Sequence, residues 1–159
     1  MGRLVRPYQT IKEKYMIYSI GYEKTTIEQL TTIMKERNIK TLIDVRSRPY
    51  SRRPDKYEFN KNRLMARFAG DPSGDYVRYE WRGDQLGGLP GPATKEGIEF
   101  LKAEEAGENV LILMCLENNP RDCHRYQDIG VRLLEHGIDM VHLHDGIEET
   151  TSHIVKGGK

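Results

Sequence analysis

The chain has only two cysteines in 159 residues. That excludes a small scaffold knitted by disulfides, and a reducing cytoplasm is the simple expectation. No apolar run reaches the roughly 18 residues that a bilayer-spanning helix needs, so no membrane partner is expected. The opening MGRLVRPYQTIKEK lacks the apolar centre of a secretory signal. An excess of one charge is missing too: 25 basic residues face 24 acidic ones, for a net charge of +1. Such a balance demands no polyanionic partner, and a case for nucleic acid has to rest on local clusters. No internal repeat and no linker divides the chain, whose length is that of one ordinary domain.

What is present is a series of short apolar runs separated by helical patterns. MIYSI (16–20) reads as a strand that ends at Gly21. Thr25 and Glu28 read as a capping box. Ile27, Leu30, Ile33 and Met34 then recur at helical spacing, and the helix fades near Asn38. TLIDV (41–45) is too uniformly apolar for a half-exposed strand and suits a parallel strand covered on both faces. Pro49 and Pro54 break RSRPYSRRPDK (46–56). A helix over 60–68 follows, with Leu64, Met65 and Phe68 inward, then a turn at DPSGD, an alternating strand over 76–81, a loop over 83–92 and a helix over 94–105. NVLILMC (109–115) is the strongest strand. Asn119 and Pro120 supply the cap and first position of the next helix. Its apolar face is Tyr126, Ile129, Gly130, Leu133 and Leu134, Gly137 stops it, and DMVHLH (139–144) is the last strand. The pattern predicts an α/β fold: a single domain with a mainly parallel sheet of about five strands flanked by helices, Rossmann-like and three-layered. Residues 1–15 read as an N-terminal extension and 16–159 as the domain.

CLENNPRDCHR (115–125) holds both cysteines beside Glu117, His124 and Arg125. Cys115 ends the central strand, where ligands of open α/β sheets bind. Cys123 falls at the start of the next helix, where a thiol becomes more nucleophilic. Glu117 and His124 suit proton transfer. Equally, Cys115 after Leu-Ile-Leu-Met suits a small buried hydrophobe. Cys115 and Arg121 have the C-x5-R spacing of a phosphate-cradling loop, yet the intervening LENNP has no glycine and places a carboxylate where phosphate would sit. Cys115, Cys123 and His124, with His142 or His144, offer zinc ligands, but neither C-x7-C nor an adjacent Cys-His pair is a usual structural spacing. No cofactor and no metal is expected. A second cluster runs from Arg46 to Arg67: Arg46, Arg48, Arg52, Arg53, Lys56, Lys61, Arg63 and Arg67 against Asp55 and Glu58, with Tyr50, Tyr57 and Phe59 interleaved. That composition suits phosphates and stacked bases, or simply a solvated charge run. Asp44 and Arg46, at the end of the second strand, face the same crevice as Cys115, or pair with each other for structure.

IYSIGYE, LIDVRSRPYSR, QLGG and CLE followed by CHR, in that order from about Met16 to His144, closely resemble the DUF488 family, a domain of unknown function in small bacterial, archaeal and phage proteins. The resemblance implies a compact α/β fold and names no reaction. It implies signature positions at Tyr22, Glu23, Asp44, Arg46, Pro49, Ser51, Arg52, Gly87, Gly88, Cys115, Glu117, Cys123, His124, Arg125 and His142. Lys24 departs from the glycine often found after Tyr-Glu in that family.

The expected function is a small enzyme acting on a phosphorylated or nucleotide-bearing substrate in a cleft at the strand carboxyl ends. Cys115, Glu117, Cys123 and His124 are its candidate catalytic residues. Tyr22, Glu23, Asp44, Arg46, Ser51, Arg52, Arg125 and His142 are the candidates for holding the anion. The alternatives are a nucleic-acid-binding module that uses residues 46–67, and an interaction protein whose polar cluster braces loops.

Overall fold

A computed structural model describes residues 15–69, 77–89 and 91–157. The expected turn at 71–75 and, Tyr15 apart, the expected extension lie outside them. The strands are β1 (Ile17–Gly21), β2 (Thr41–Asp44), β3 (Arg78–Trp81), β4 (Leu111–Cys115), β5 (Val141–His144) and β6 (Ile147–Thr150). The helices are α1 (Ile27–Glu36), α2 (Lys61–Phe68), α3 (Gly83–Leu86), α4 (Lys95–Ala106), α5 (Val131–Glu135) and α6 (Thr151–Val155), with short 3-10 segments at Pro54–Phe59 and Pro120–Asp122 and a π-helical turn at Arg125–Gly130. One sheet carries the strands in the order β3-β2-β4-β1-β5-β6. Its pairings are parallel except the antiparallel β5–β6 edge.

The apolar runs are buried on both faces, as parallel strands are. Alternation along β4 sends Leu111, Leu113 and Cys115 to one face and Ile112 and Met114 to the other. On the first face Ile98 and Leu101 of α4 and Leu133 of α5 complete the core. On the second, Leu30 and Met34 of α1 and Leu64 and Phe68 of α2 do so. The fold is thus the expected three-layer α/β sandwich.

Local readings needed correcting in five places. Thr26 and Gln29, not Thr25 and Glu28, form the capping box of α1: the Gln29 amide donates to Thr26 Oγ1 at 3.0 Å, and the Thr26 amide to Gln29 Oε1 at 2.8 Å. Two overlapping Thr/acid-or-amide patterns compete there, and the helix starts one residue late. Met65 is exposed, because the inward stripe of α2 is Leu64 and Phe68. Residues 54–56, expected to be broken by Pro54, instead begin a 3-10 segment that Pro54 opens and that runs to Phe59. The expected loop after β3 contains α3. The polar IEET forms the edge strand β6, which the search for apolar runs passed over.

Candidate active site

β1, β2 and β4 are neighbours, and the chain beyond each carboxyl end keeps their pairing. The Tyr22 amide donates to Cys115 O at 2.9 Å, Glu23 to Leu116 O at 3.0 Å and Val45 to Met114 O at 3.1 Å. Three of the sequence motifs therefore converge on one edge of the sheet. Gly21 is required for this: a Cβ there would collide with the Glu117 carbonyl, which crosses directly over it.

A cavity of about 460 Å³ opens at this edge. Arg46, Lys56, Cys115, Glu117 and His124 line it, with Tyr22, Ser47, Arg48 and Arg53 around them and Tyr50, Ser51, Gly88, Leu89 and Leu116 completing the wall. A second cavity, about 520 Å³, lies between α1 and the β5–β6 hairpin. It is the larger of the two, but the sequence motifs converge on the first.

Asp44 and Arg46 anchor the floor. Arg46 Nε donates to Asp44 Oδ1 at 2.7 Å and Nη2 to Oδ2 at 2.6 Å, a forked pair buried from solvent. Tyr79 adds its hydroxyl to Asp44 Oδ2 at 2.6 Å. Burial, and then the Asp44 charge, hold the Tyr79 phenol above its ordinary pKa. For Arg46, burial alone would lower the pKa, but the bonds to Asp44 outweigh it and the guanidinium is held above its ordinary value. Arg46 Nη2 also reaches Phe59 O at 2.6 Å, and its guanidinium lies 5.0 Å from the Tyr22 ring centroid. Nη1 is buried and makes no hydrogen bond. Lys56 is 7% exposed and donates to Tyr22 O at 2.7 Å and Thr25 O at 3.2 Å. Among the described residues, no carboxylate is among its hydrogen-bond partners.

The rest of the basic segment is less open than its composition suggests. Arg53 pairs with Asp55, Arg63 with Glu58 and Arg67 with Glu28. Lys61 sits 4.5 Å from the Trp81 ring centroid. The loop is also pinned, with Ser51 N donating to Asn60 Oδ1 at 2.7 Å and Lys61 N to Pro49 O at 2.9 Å.

On the β4 side, Cys115 and Cys123 are joined as a disulfide, so neither is the free thiol expected of a nucleophile. Glu117 Oε1 lies 3.8 Å from Cys115 Sγ. His124 Nε2 is 2.9 Å from Leu86 O, a carbonyl that only accepts, so the proton of the neutral ring is on Nε2. Its bare Nδ1 then faces Cys123 Sγ at 3.7 Å. Gly88 packs beside that ring. Cys115, Glu117 and Cys123 bring three potential metal ligands within 4.8 Å of one another. With both sulfurs joined there is no thiolate to ligate a cation, and the group does not fit a metal in this state.

Arg125 and His142, expected to hold an anion, are fully buried and brace the site from beneath. Arg125 donates through Nη1 to Glu117 O at 2.6 Å, through Nη2 to Asn118 O at 3.1 Å and through Nε to Ser19 Oγ at 2.9 Å, and Nη1 lies 3.2 Å from Cys115 Sγ. Burial pushes its pKa down to about 10. Ser19 spends its own proton on His142 Nδ1 at 2.6 Å, which leaves His142 Nε2–H to donate to Thr151 Oγ1 at 2.8 Å. Burial first, then the charge of Arg125, lower the His142 pKa to about 3, so it is neutral at physiological pH. Glu23 and Arg52 are exposed and outside the cavity wall.

Sequence reasoning missed Lys56 as a buried cation and Ser19 as a link to His142. Lys56 looked like one more member of a charge run, although Tyr57 and Phe59 beside it marked an apolar approach. Ser19, a lone polar residue inside an apolar strand, was the available signal. No family model, curated protein or solved structure matches the chain.

Proposed function

We propose that the chain is a small enzyme, a member of the DUF488 family, whose cleft takes a phosphorylated or nucleotide-bearing small molecule. One observation carries this reading. Two cations on the cleft wall, Arg46 and Lys56, are more than nine-tenths buried; Asp44 pairs with Arg46 but leaves its Nη1 without a hydrogen bond, and among the described residues Lys56 bonds carbonyl oxygens and no carboxylate. Buried charge is costly unless it is paired, so an anion entering the cleft would meet donors already ordered for it. Arg48 at the mouth adds attraction, and exposed Tyr50 gives a surface on which a base stacks. Glu117, the single carboxylate on the wall among the described residues, is the group placed to take or give a proton.

The ion pairs within 46–67 argue against a duplex-binding module, since few of those cations are free to meet a backbone. Titration calorimetry with inorganic pyrophosphate and with nucleoside monophosphates tests the proposal. Binding tighter than about 1 mM is expected, weakened at least roughly tenfold by Lys56→Met, a change of about 1.4 kcal/mol. No detectable heat from either ligand, or equal affinity in Lys56→Met, would overturn it.

A further inference from the structure

Arg125 presents a problem of charge balance. It is fully buried, and its hydrogen-bond partners are the Ser19 hydroxyl, two backbone carbonyls and the sulfur of Cys115. No carboxylate is among these hydrogen-bond partners in the described residues; Glu117 bonds Arg125 through its carbonyl, and the partly exposed Glu117 carboxylate, 3.8 Å from Cys115 Sγ, acts on Arg125 only through space. A guanidinium keeps its proton in proteins. A buried charge with neutral partners alone is costly. The one partner able to become an anion is Cys115, and it does so only when the disulfide opens.

We infer that Cys115 and Cys123 form a redox-active pair, in which Arg125 is the built-in counter-ion of a Cys115 thiolate and drives the disulfide to exchange with small anionic thiols. Reduction supplies Arg125 with the missing negative charge, so the dithiol form is favoured relative to an ordinary structural disulfide. Of the two sulfurs, Cys115 lines the cleft and Cys123 does not. The cleft's cations set the ligand class, and in that choice alone the inference rests on the function proposed above.

A thiolate RS⁻ attacks Cys115 Sγ, the R–S–S–Cys115 bond forms, the Cys115–Cys123 bond breaks, and Cys123 leaves and takes a proton. A second RS⁻ attacks the R-bearing sulfur of the mixed disulfide, R–S–S–R forms, and Cys115 leaves as a thiolate beside Arg125. Two substrate thiols are oxidised, the protein disulfide is reduced by two electrons, and one of the two substrate protons ends in solvent. In the reverse direction, His124 Nδ1, at 3.7 Å with its lone pair free, accepts the Cys123 proton.

The test uses Cys123→Ser, which leaves Cys115 alone, with iodoacetamide as probe. The expected alkylation rate falls by less than about threefold between pH 8 and pH 6, because a thiol at the low end of the protein range stays ionised. A thiol with the ordinary pKa of about 8.5 slows roughly 75-fold over the same span, and that result would overturn the inference. Arg125→Gln in the same background should restore the steep fall. If that variant does not fold, the first measurement still decides. In the wild type, glutathione should open the disulfide roughly tenfold faster than cysteamine at equal thiolate concentration, with salt closing the gap. A faster cysteamine reaction would contradict the choice of an anionic thiol. Pyrophosphate binding and thiol ionisation are read independently, so either idea can fail without the other.

Discussion

Asp44→Ala removes the one carboxylate that neutralises Arg46, the anchor of the cleft floor. The pair is buried, with the Asp44 side chain fully covered and that of Arg46 5% exposed. Removing one partner of a buried pair costs about 3–5 kcal/mol, because the remaining charge stays in the protein unpaired. The Tyr79 hydroxyl loses its acceptor as well, which adds about 1 kcal/mol for a partly buried group. A total of about 4–6 kcal/mol is a large share of the 5–15 kcal/mol typical of a domain. In a chain of this size it corresponds to a melting temperature lower by roughly 10–20 °C. Calorimetry or circular dichroism melts give that number, and urea titration checks it. Asp44→Ala combined with Arg46→Met should recover part of the loss, since the cost lies in the stranded charge and not in lost packing. A single variant within about 1 kcal/mol of wild type, or a double variant less stable than the single, would refute the reasoning.

Further outcomes can be checked in the same way. Arg121 first, with His144 alongside, holds the Glu149 carboxyl down to about 2, against an ordinary 4.5, so its contribution to stability is present above pH 4.5 and lost as pH falls toward 2; Glu149→Gln should flatten the acid limb of a stability–pH curve. His142 should stay neutral in folded protein, so its ring NMR signals should not titrate between pH 8 and pH 4. Because the unfolded chain takes up that proton near pH 6.5, stability should also decline as pH drops below that value toward 3. Gly21→Ala forces the Glu117 carbonyl off Arg125 and should cost at least about 2 kcal/mol by denaturant melt, whereas Gly146→Ala, a positive-φ turn with open space around it, should cost about 1 kcal/mol. Duplex DNA is expected to bind only weakly, and Arg52→Ala with Arg63→Ala should leave that affinity and its salt dependence almost unchanged in a fluorescence anisotropy titration.

The parts legible in the sequence were those governed by local pattern. The apolar runs of β1, β2 and β4 announced a parallel sheet. Because Tyr22, Arg46 and Glu117 each follow such a run, their meeting at one edge followed from topology. What escaped depends on partners far along the chain. The run from Arg46 to Arg67 looks uniformly solvated, and only the fold separates Lys56, buried against Tyr22 and Phe59, from Arg63, paired on the surface. Arg125 follows His124 directly, yet His124 lines the cleft while the Arg125 side chain is buried in the core at the first residue of the π-helical turn. The bonds from His142 to Ser19 and Thr151 join three separate elements, so no single stretch of sequence carries them. The edge strand β6 is polar, and a search for apolar runs has no means of finding it.

The measurement that bears most directly on the cleft as an anion site is a crystal structure of the protein grown with inorganic pyrophosphate. The expected result is phosphate density between Arg46 and Lys56, with one oxygen within hydrogen-bond distance of Arg46 Nη1, which makes no hydrogen bond among the described residues. An empty cleft at saturating pyrophosphate, or phosphate bound only at Arg48 or Arg52 on the surface, would contradict it.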